Sequence, residues 1–254
     1  MIAGGPGSAQ AMRRLAPINL AIALLVLVGG FLPDEWRYGA WALAILLIAA
    51  APYVRQLGGF TISPGHFVER HGLVVIIALG ESIVAIGVGA AGLDVDLTLV
   101  TVAALGLTLS YLMWWVYFGE GDAAAEHALS AVPRERRATV AVRAYGYAHY
   151  VLLLGIVVAA AGVKKVIGHA GDELKLAEAV TLALGVALYL LGDAAFRRVL
   201  RIGSTRFRAG GAVLALATIP LGLLIGVGQL VMLIVVLLAM LMIEARAAAS
   251  RVST

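Results

Sequence analysis

The 254-residue sequence contains no cysteine, which excludes disulfide staples, thiolate nucleophiles and cysteine-ligated metals. Charge is scarce as well. Only 13% of the residues are Asp, Glu, Lys or Arg, about half the share of a soluble domain. Hydrophobic residues make up 62%, and a water-soluble domain of this length has no interior large enough to hide them, so lipid is the solvent for much of the chain. The net charge is only +4, and the basic residues sit beside apolar runs. That pattern marks membrane topology and speaks against nucleic acid as a partner. Enzyme signatures are missing too: there is no Gly-x-Ser-x-Gly elbow and no His-Glu-x-x-His pair. Ser82 has no histidine placed to activate it, and five histidines leave little room for a metal cage. The glycine-rich stretch 87–92 follows no strand and precedes no phosphate-loop lysine. The expectation is a non-enzymatic protein without cofactor or metal.

What is present is a series of apolar runs. A transmembrane helix needs roughly 17–25 mostly apolar residues. Eight stretches qualify, near 15–32, 38–54, 66–91, 97–118, 143–163, 176–196, 209–226 and 229–245. The first follows Arg13 and Arg14 but ends in Gly29-Gly30-Phe31-Leu32-Pro33, without a small-x-small cleavage site, so it reads as a retained helix rather than a signal peptide. The last two are expected to form a hairpin turning at Gly226-Val227-Gly228-Gln229. A single helix through 209–245 would be far longer than a hydrocarbon core of about 30 Å. The fold class expected is all-α: a polytopic helical membrane protein, one integral membrane domain over 1–254, with a polar loop at 119–142.

The basic residues orient these spans. With eight of them, one side of the membrane collects Arg13, Arg14, Arg55, Arg70, Arg134, Arg136, Arg137, Arg143, Arg197, Arg198, Arg201, Arg206, Arg208, Arg246 and Arg251. The other side collects only Arg37, Lys164, Lys165 and Lys175. The positive-inside rule places both termini and the 119–142 loop in the cytoplasm. Trp114, Trp115, Tyr117 and Phe118 end the fourth span on that side, as an interfacial aromatic belt does.

The third span carries a carboxylate. Glu81 lies eight residues beyond Leu73, about 12 Å along a helix, with a comparable apolar length after it, so it falls near the midplane. An ionised group there costs at least a few kcal/mol and is expected to face protein or a water-filled cavity. A carboxylate whose proton affinity depends on hydration suits a proton relay or cation site; the plainer role is a neutral acid hydrogen-bonded to a neighbouring helix. Arg70 lies within about 20° of Glu81 on the same face, roughly 16 Å away, with Val74 and Ile77 between them. His66, Glu69 and Arg70 form a charged helix entrance, and with Glu81 they are the first candidates for an ion or solute pathway. Gly80 and Gly87 lie on one face, where small residues allow close helix packing. Gly222 and Gly226, after the helix-kinking Pro220, read the same way.

Two further polar residues stand out. His149 follows Tyr145 and Tyr147 at the start of the fifth span. It is either a proton-relaying group or an interfacial anchor, and Tyr145 is close enough at i,i+4 to meet it. Asp193, a weaker candidate, has Arg197 one turn on, and an intrahelical ion pair at the interface accounts for it. Glu244 reads as a similar interfacial charge beside Arg246 and Arg251.

His66-x-x-Glu69-Arg70-x-Gly72-Leu73-x-x-Ile76-Ile77-x-Leu79-Gly80-Glu81-Ser82-Ile83 resembles the signature helix of the bacterial low temperature requirement protein A family. Trp114-Trp115-x-Tyr117-Phe118 resembles the aromatic end of that family's next helix, and Tyr145-x-Tyr147-x-His149-Tyr150 with Gly155-Ile156-Val157 resembles a later one. The resemblance runs from about residue 60 to the C-terminus. It implies a polytopic membrane protein linked by name to bacterial growth in the cold, without a settled biochemical activity. It also implies a missing N-terminal segment, because no Glu-Leu-Phe-Phe-Asp-Leu type motif is found. Three functions stay open: a transporter or proton/ion pathway using Glu81, a non-catalytic membrane component that acts by assembling with partners, and, behind these two, a membrane-embedded enzyme acting on lipid. The expected partners are the bilayer and a small ion or solute, with homo-oligomerisation open.

Overall fold

The computed structural model describes residues 6–54, 62–119, 121–169 and 171–252. Arg55 and Glu120 lie outside them, as do the side chains of Arg14 and Arg251. Every regular element among the described residues is a helix, as lipid requires of a backbone that must satisfy its own hydrogen bonds. The order is α1 (Pro6–Phe31), α2 (Asp34–Val54), α3 (Pro64–Ala90), α4 (Leu97–Phe118), α5 (Gly121–Ala131) and α6 (Arg134–Ala141). A π-helical stretch, Val142–Ala148, then leads into α7 (His149–Gly168). The chain continues with α8 (Leu176–Leu200), α9 (Arg206–Ala217), α10 (Ile219–Gly222) and α11 (Gly226–Val252). Among the described residues, five stretches are long and apolar enough to cross a membrane: α3 (Pro64–Ala90), α4 with α5, the run Arg134–Gly168, α8 (Leu176–Leu200) and Gly226–Ser250 of α11. The protein is therefore an all-α, polytopic membrane protein.

Three expectations change in detail. The 119–142 segment, expected as a polar loop, holds the helices α5 and α6. The stretch at 209–226 is broken, because α9 stops at Ala217 and Pro220 lies in the separate turn of α10. The last connection also shifts. Gly226 to Gln229 belong to α11, and the chain turns over Leu223–Ile225 instead. Gln229 is fully buried, donating from its amide to the Ala179 carbonyl at 2.9 Å. It holds the start of α11 to α8, which no polar residue in an exposed turn could do.

The chain divides into two compact units. The first contains α1, α2 and residues 132–142. Its hairpin turns over Pro33, whose carbonyl accepts from the amides of Trp36 and Arg37. The Trp41 indole donates to the Val26 carbonyl across that hairpin at 3.2 Å. Gly29 lets the indole approach, since a Cβ there would lie 2.7 Å from its nitrogen.

The second unit contains residues 64–131 and 143–254. Its centre is the antiparallel pair α7 and α8. Gly155 faces the backbone of Tyr189, Gly162 faces Leu182, Gly185 faces Ala159 and Gly192 faces Leu152, each so closely that an added Cβ would collide with backbone atoms. Small residues recurring about every seven positions on both helices produce this contact, because lipid-embedded helices gain stability from close van der Waals packing. Glu178 supports the start of α8 by accepting from the Lys175 amide at 3.1 Å. Asp96 caps α4 by accepting from the Leu99 amide at 2.7 Å, an arrangement typically worth about 1 kcal/mol.

Candidate functional site

The α3 candidates separate cleanly from the rest. This helix buries Val68, Gly72, Val75, Leu79, Ser82 and Ile86, a stripe at helical spacing. Glu81, Arg70, His66 and Glu69 are exposed, as are Val74 and Ile77 between Arg70 and Glu81. His66 and Glu69 approach at 3.8 Å on that surface. Glu81 therefore lies on an outward face and lines no path inside the unit. A Cβ at Gly80 or Gly87 would meet nothing within 4 Å, so the close packing expected there is not made among the described residues. Gly222 and Gly226 do sit in contact. A Cβ at Gly222 would meet the Gln229 side chain and Ala179, and one at Gly226 would meet Leu174 at 3.1 Å.

His149 has the opposite placement. It is 1% exposed and packs among rings from four other parts of the unit. The ring centroids of Tyr117 and Tyr145 lie 5.6 Å away, that of His71 5.8 Å and that of Phe196 6.0 Å. Phe67 closes the group, 4.2 Å from His71 and 5.1 Å from Tyr145. Local structure brings these rings together. The first turns of α3 supply Phe67 and His71, and the last turns of α4 and α8 supply Tyr117 and Phe196. Tyr145 comes from the π-helical stretch directly before His149. Such wide turns are rare and tend to occur at functional positions.

The polar atoms of this cluster are its chemistry. The Tyr117 and Tyr145 hydroxyls and both ring nitrogens of His149 are buried, with no hydrogen-bond partner among the described residues. Each buried unpaired donor or acceptor ordinarily costs about 1–3 kcal/mol, so four in one cluster are not explained by packing. His71 is better placed: its Nδ1 donates to the Phe67 carbonyl at 2.7 Å, which in the neutral ring leaves Nε2 as an acceptor. His71 is also only half-buried. The cluster thus runs from a partly exposed imidazole with a defined tautomer to a fully buried one flanked by two phenols, all groups able to take up and release protons.

A second polar group lies on α8. Asp193, 1% exposed, accepts from Arg197 Nε at 2.9 Å, as its i,i+4 spacing predicted, and also from Arg208 Nε at 2.8 Å. Arg208, 2% exposed, extends to Glu244 at 2.6 Å. Arg197 also donates to the Val116 carbonyl at 3.3 Å. The pair expected for Asp193 and Arg197 is thus part of a four-residue network, buried except at the partly exposed Glu244, which pairs with Arg208. Arg201 ends α8 in a left-handed conformation, φ 58°, and the chain folds back over Arg197 at Gly203. Gly203 also has φ 58°, and a Cβ there would lie 2.7 Å from an Arg197 terminal nitrogen. Deeper along α8, the fully buried Tyr189 donates its hydroxyl to the Met113 carbonyl.

Sequence reasoning missed His71, Tyr117, Arg208 and Gln229. Tyr117 belongs to an interfacial aromatic belt by position, yet it turns inward and is 3% exposed. Arg208 resembles every other topology arginine. Only the folding of α9 against α8 shows that it is buried.

Helices built for lipid, with charged and titratable side chains concentrated inside the second unit, define a polytopic membrane protein with a polar interior. A family model for the bacterial low temperature requirement A protein matches residues 2–244, and the chain belongs to that family. The match begins at residue 2 and so takes in α1 and α2, which the motif resemblance from about residue 60 did not reach. A curated relative, the uncharacterized protein RA0937 of Rhizobium meliloti (strain 1021), is 28% identical over 206 residues. The alignment covers 77% of this chain and 50% of that protein, so the chain spans about half the length of this relative. No solved structure matches.

Proposed function

We propose that the protein is a multi-pass protein of the bacterial plasma membrane, with both termini cytoplasmic, that conducts protons or a small ion through its second unit. His149 is the principal relay group in this reading. The observation that carries it is the set of four buried, unpartnered polar atoms on His149, Tyr117 and Tyr145. With the termini cytoplasmic, the cluster lies at the cytoplasmic end of the unit, where His71 gives it an outlet. Further buried polar groups continue along α8: the Tyr189 hydroxyl, then the Gln229 amide on Ala179. Phe196 and Ala179 are seventeen residues apart, about 25 Å of helix, which is most of a hydrocarbon core. Asp193 is not a carrier here, because its charge is held by two arginines.

The test is proton flux into liposomes containing the purified protein, driven by a pH gradient. His149→Phe keeps the ring shape and removes both unpaired nitrogens. It is expected to fold as stably as the parent or more so, and to lose at least tenfold in flux. Undiminished flux in the folded variant would sink the assignment.

Glu81 supports a second reading. An acid on an exposed, apolar face, with open space at Gly80 and Gly87, suits contact with another membrane helix. Under that reading the protein acts by assembly, through a second copy or another membrane protein. Glu81→Leu would then change its oligomeric state in lipid nanodiscs without altering its thermal stability in detergent.

A further inference from the structure

The four-residue ionic network opens onto a cavity of about 240 Å³. Its walls are Trp115 and Val116 of α4, Arg197 of α8, Arg208 of α9, and Leu241 and Glu244 of α11, with three small residues completing them. Organic ligands usually occupy roughly 300–1,000 Å³, so this space fits a single phosphate or carboxylate group rather than a whole metabolite. Two guanidinium groups reach it. Each donates its Nε to the same Asp193 oxygen, at 2.9 Å from Arg197 and 2.8 Å from Arg208, and a guanidinium fork matches two oxygens of a phosphate or carboxylate.

Charge shows what can enter. With Glu244 in place, Arg197 and Arg208 are balanced by Asp193 and Glu244. The two carboxylates are not equivalent. Asp193 is sealed inside, its side chain 2% exposed, whereas that of Glu244 is 21% exposed at the cavity wall. Glu244 is therefore the carboxylate free to leave, and its departure uncovers one net positive charge in a small cavity walled by tryptophan and aliphatic side chains.

We propose that this cavity is an anion site, in which a phosphate-type monoanion competes with the Glu244 carboxylate for Arg208. Glu244 occupies the site in the unliganded protein as an internal stand-in for that ligand. The same chemistry has two sources. One is a soluble phosphate; the other is the headgroup of an anionic phospholipid, since the cavity lies where the ends of α4, α8 and α11 meet at one end of the helices. The site adjoins the His149 cluster at Val116–Tyr117 and Phe196–Arg197 but is lined by different side chains, and the proposal does not depend on proton conduction.

Two measurements test it. In detergent, inorganic phosphate is titrated at constant ionic strength against chloride and followed by calorimetry and tryptophan fluorescence, because Trp115 lines the cavity. In nanodiscs, native mass spectrometry counts phospholipid retained from phosphatidylglycerol against phosphatidylcholine. Saturable phosphate binding identifies a soluble ligand, and selective retention of phosphatidylglycerol alone identifies a headgroup. In either case Glu244→Gln, which removes the competing charge, is expected to tighten binding about tenfold. Arg208→Lys, which keeps the charge but loses the fork, is expected to weaken it about tenfold. If Arg208→Lys does not fold, Glu244→Gln still decides, since its side chain is at the cavity rim. The proposal fails if Glu244→Gln binds no more tightly than the parent, or if neither anion binds saturably to either form.

Discussion

The outward face of α3 and the inward face of α8 each place acidic side chains within membrane helices, and the structure treats them in opposite ways. Glu81 is exposed on α3, near Gly80 and Gly87, where an added Cβ would meet nothing within 4 Å among the described residues, with the uncovered Arg70, Val74 and Ile77 on its stripe. Asp193 is sealed on α8 with two arginines, below a helix contact too close for any Cβ. A carboxylate in an apolar run announces a cost, but not the direction in which the helix turns it. That direction is set by the opposite face. On α3 the buried stripe is Val68, Val75, Leu79 and Ile86, which leaves Glu81 outside; on α8 the glycine register against α7 carries Tyr189 and Asp193 inward.

This contrast can be broken by substitution, and the largest effect is expected at the glycines. Gly185→Leu drives a side chain into the Ala159 backbone, beyond the roughly 1–3 kcal/mol of ordinary overpacking, and should abolish monodisperse protein on size-exclusion chromatography. Gly80→Leu, with open space around it, should elute like the parent. Next in size is Asp193→Asn, which leaves Arg197 and Arg208 facing each other with one counter-charge fewer. A loss of about 3–5 kcal/mol is expected, as for other broken buried ion pairs, read as a clear drop in the melting temperature in detergent. Glu81→Gln should shift that temperature by no more than a degree or two. A smaller effect is expected at Tyr189→Phe, where one buried hydrogen bond to the Met113 carbonyl is removed. The loss should be about 1–2 kcal/mol, and a loss as large as that of Asp193→Asn would mean that Tyr189 is coupled to the ionic network.

The architecture was largely legible in composition and spacing. Apart from 209–226, which is broken, the long apolar runs lie within helices, and five stretches among the described residues are long and apolar enough to cross a membrane, because helix length and lipid thickness are linked by simple geometry. The break at 218–225 was less visible: Pro220 signalled a kink, but the burial of Gln229 depends on where α8 happens to offer a free carbonyl. The site was legible in part. His149 and Asp193 were recognisable as polar residues in apolar surroundings, and Tyr145 as a neighbour of His149. Their remaining partners, His71, Tyr117, Phe196, Arg208 and Glu244, lie 15 to 78 residues away in sequence, and only tertiary packing brings them in. Glu81 drew first attention because midplane position is easy to read from one helix, whereas burial requires all of them.

The central claim is the proposal that the buried cluster around His149, and not the exposed Glu81, forms the relay of an ion pathway. Its most direct test is proton flux measured side by side in liposomes reconstituted with equal amounts of folded parent, His149→Phe and Glu81→Gln. Flux lost by at least tenfold in His149→Phe and kept within twofold in Glu81→Gln is the predicted result. Flux kept in His149→Phe and lost in Glu81→Gln would contradict the account and return the pathway to the outward face of α3.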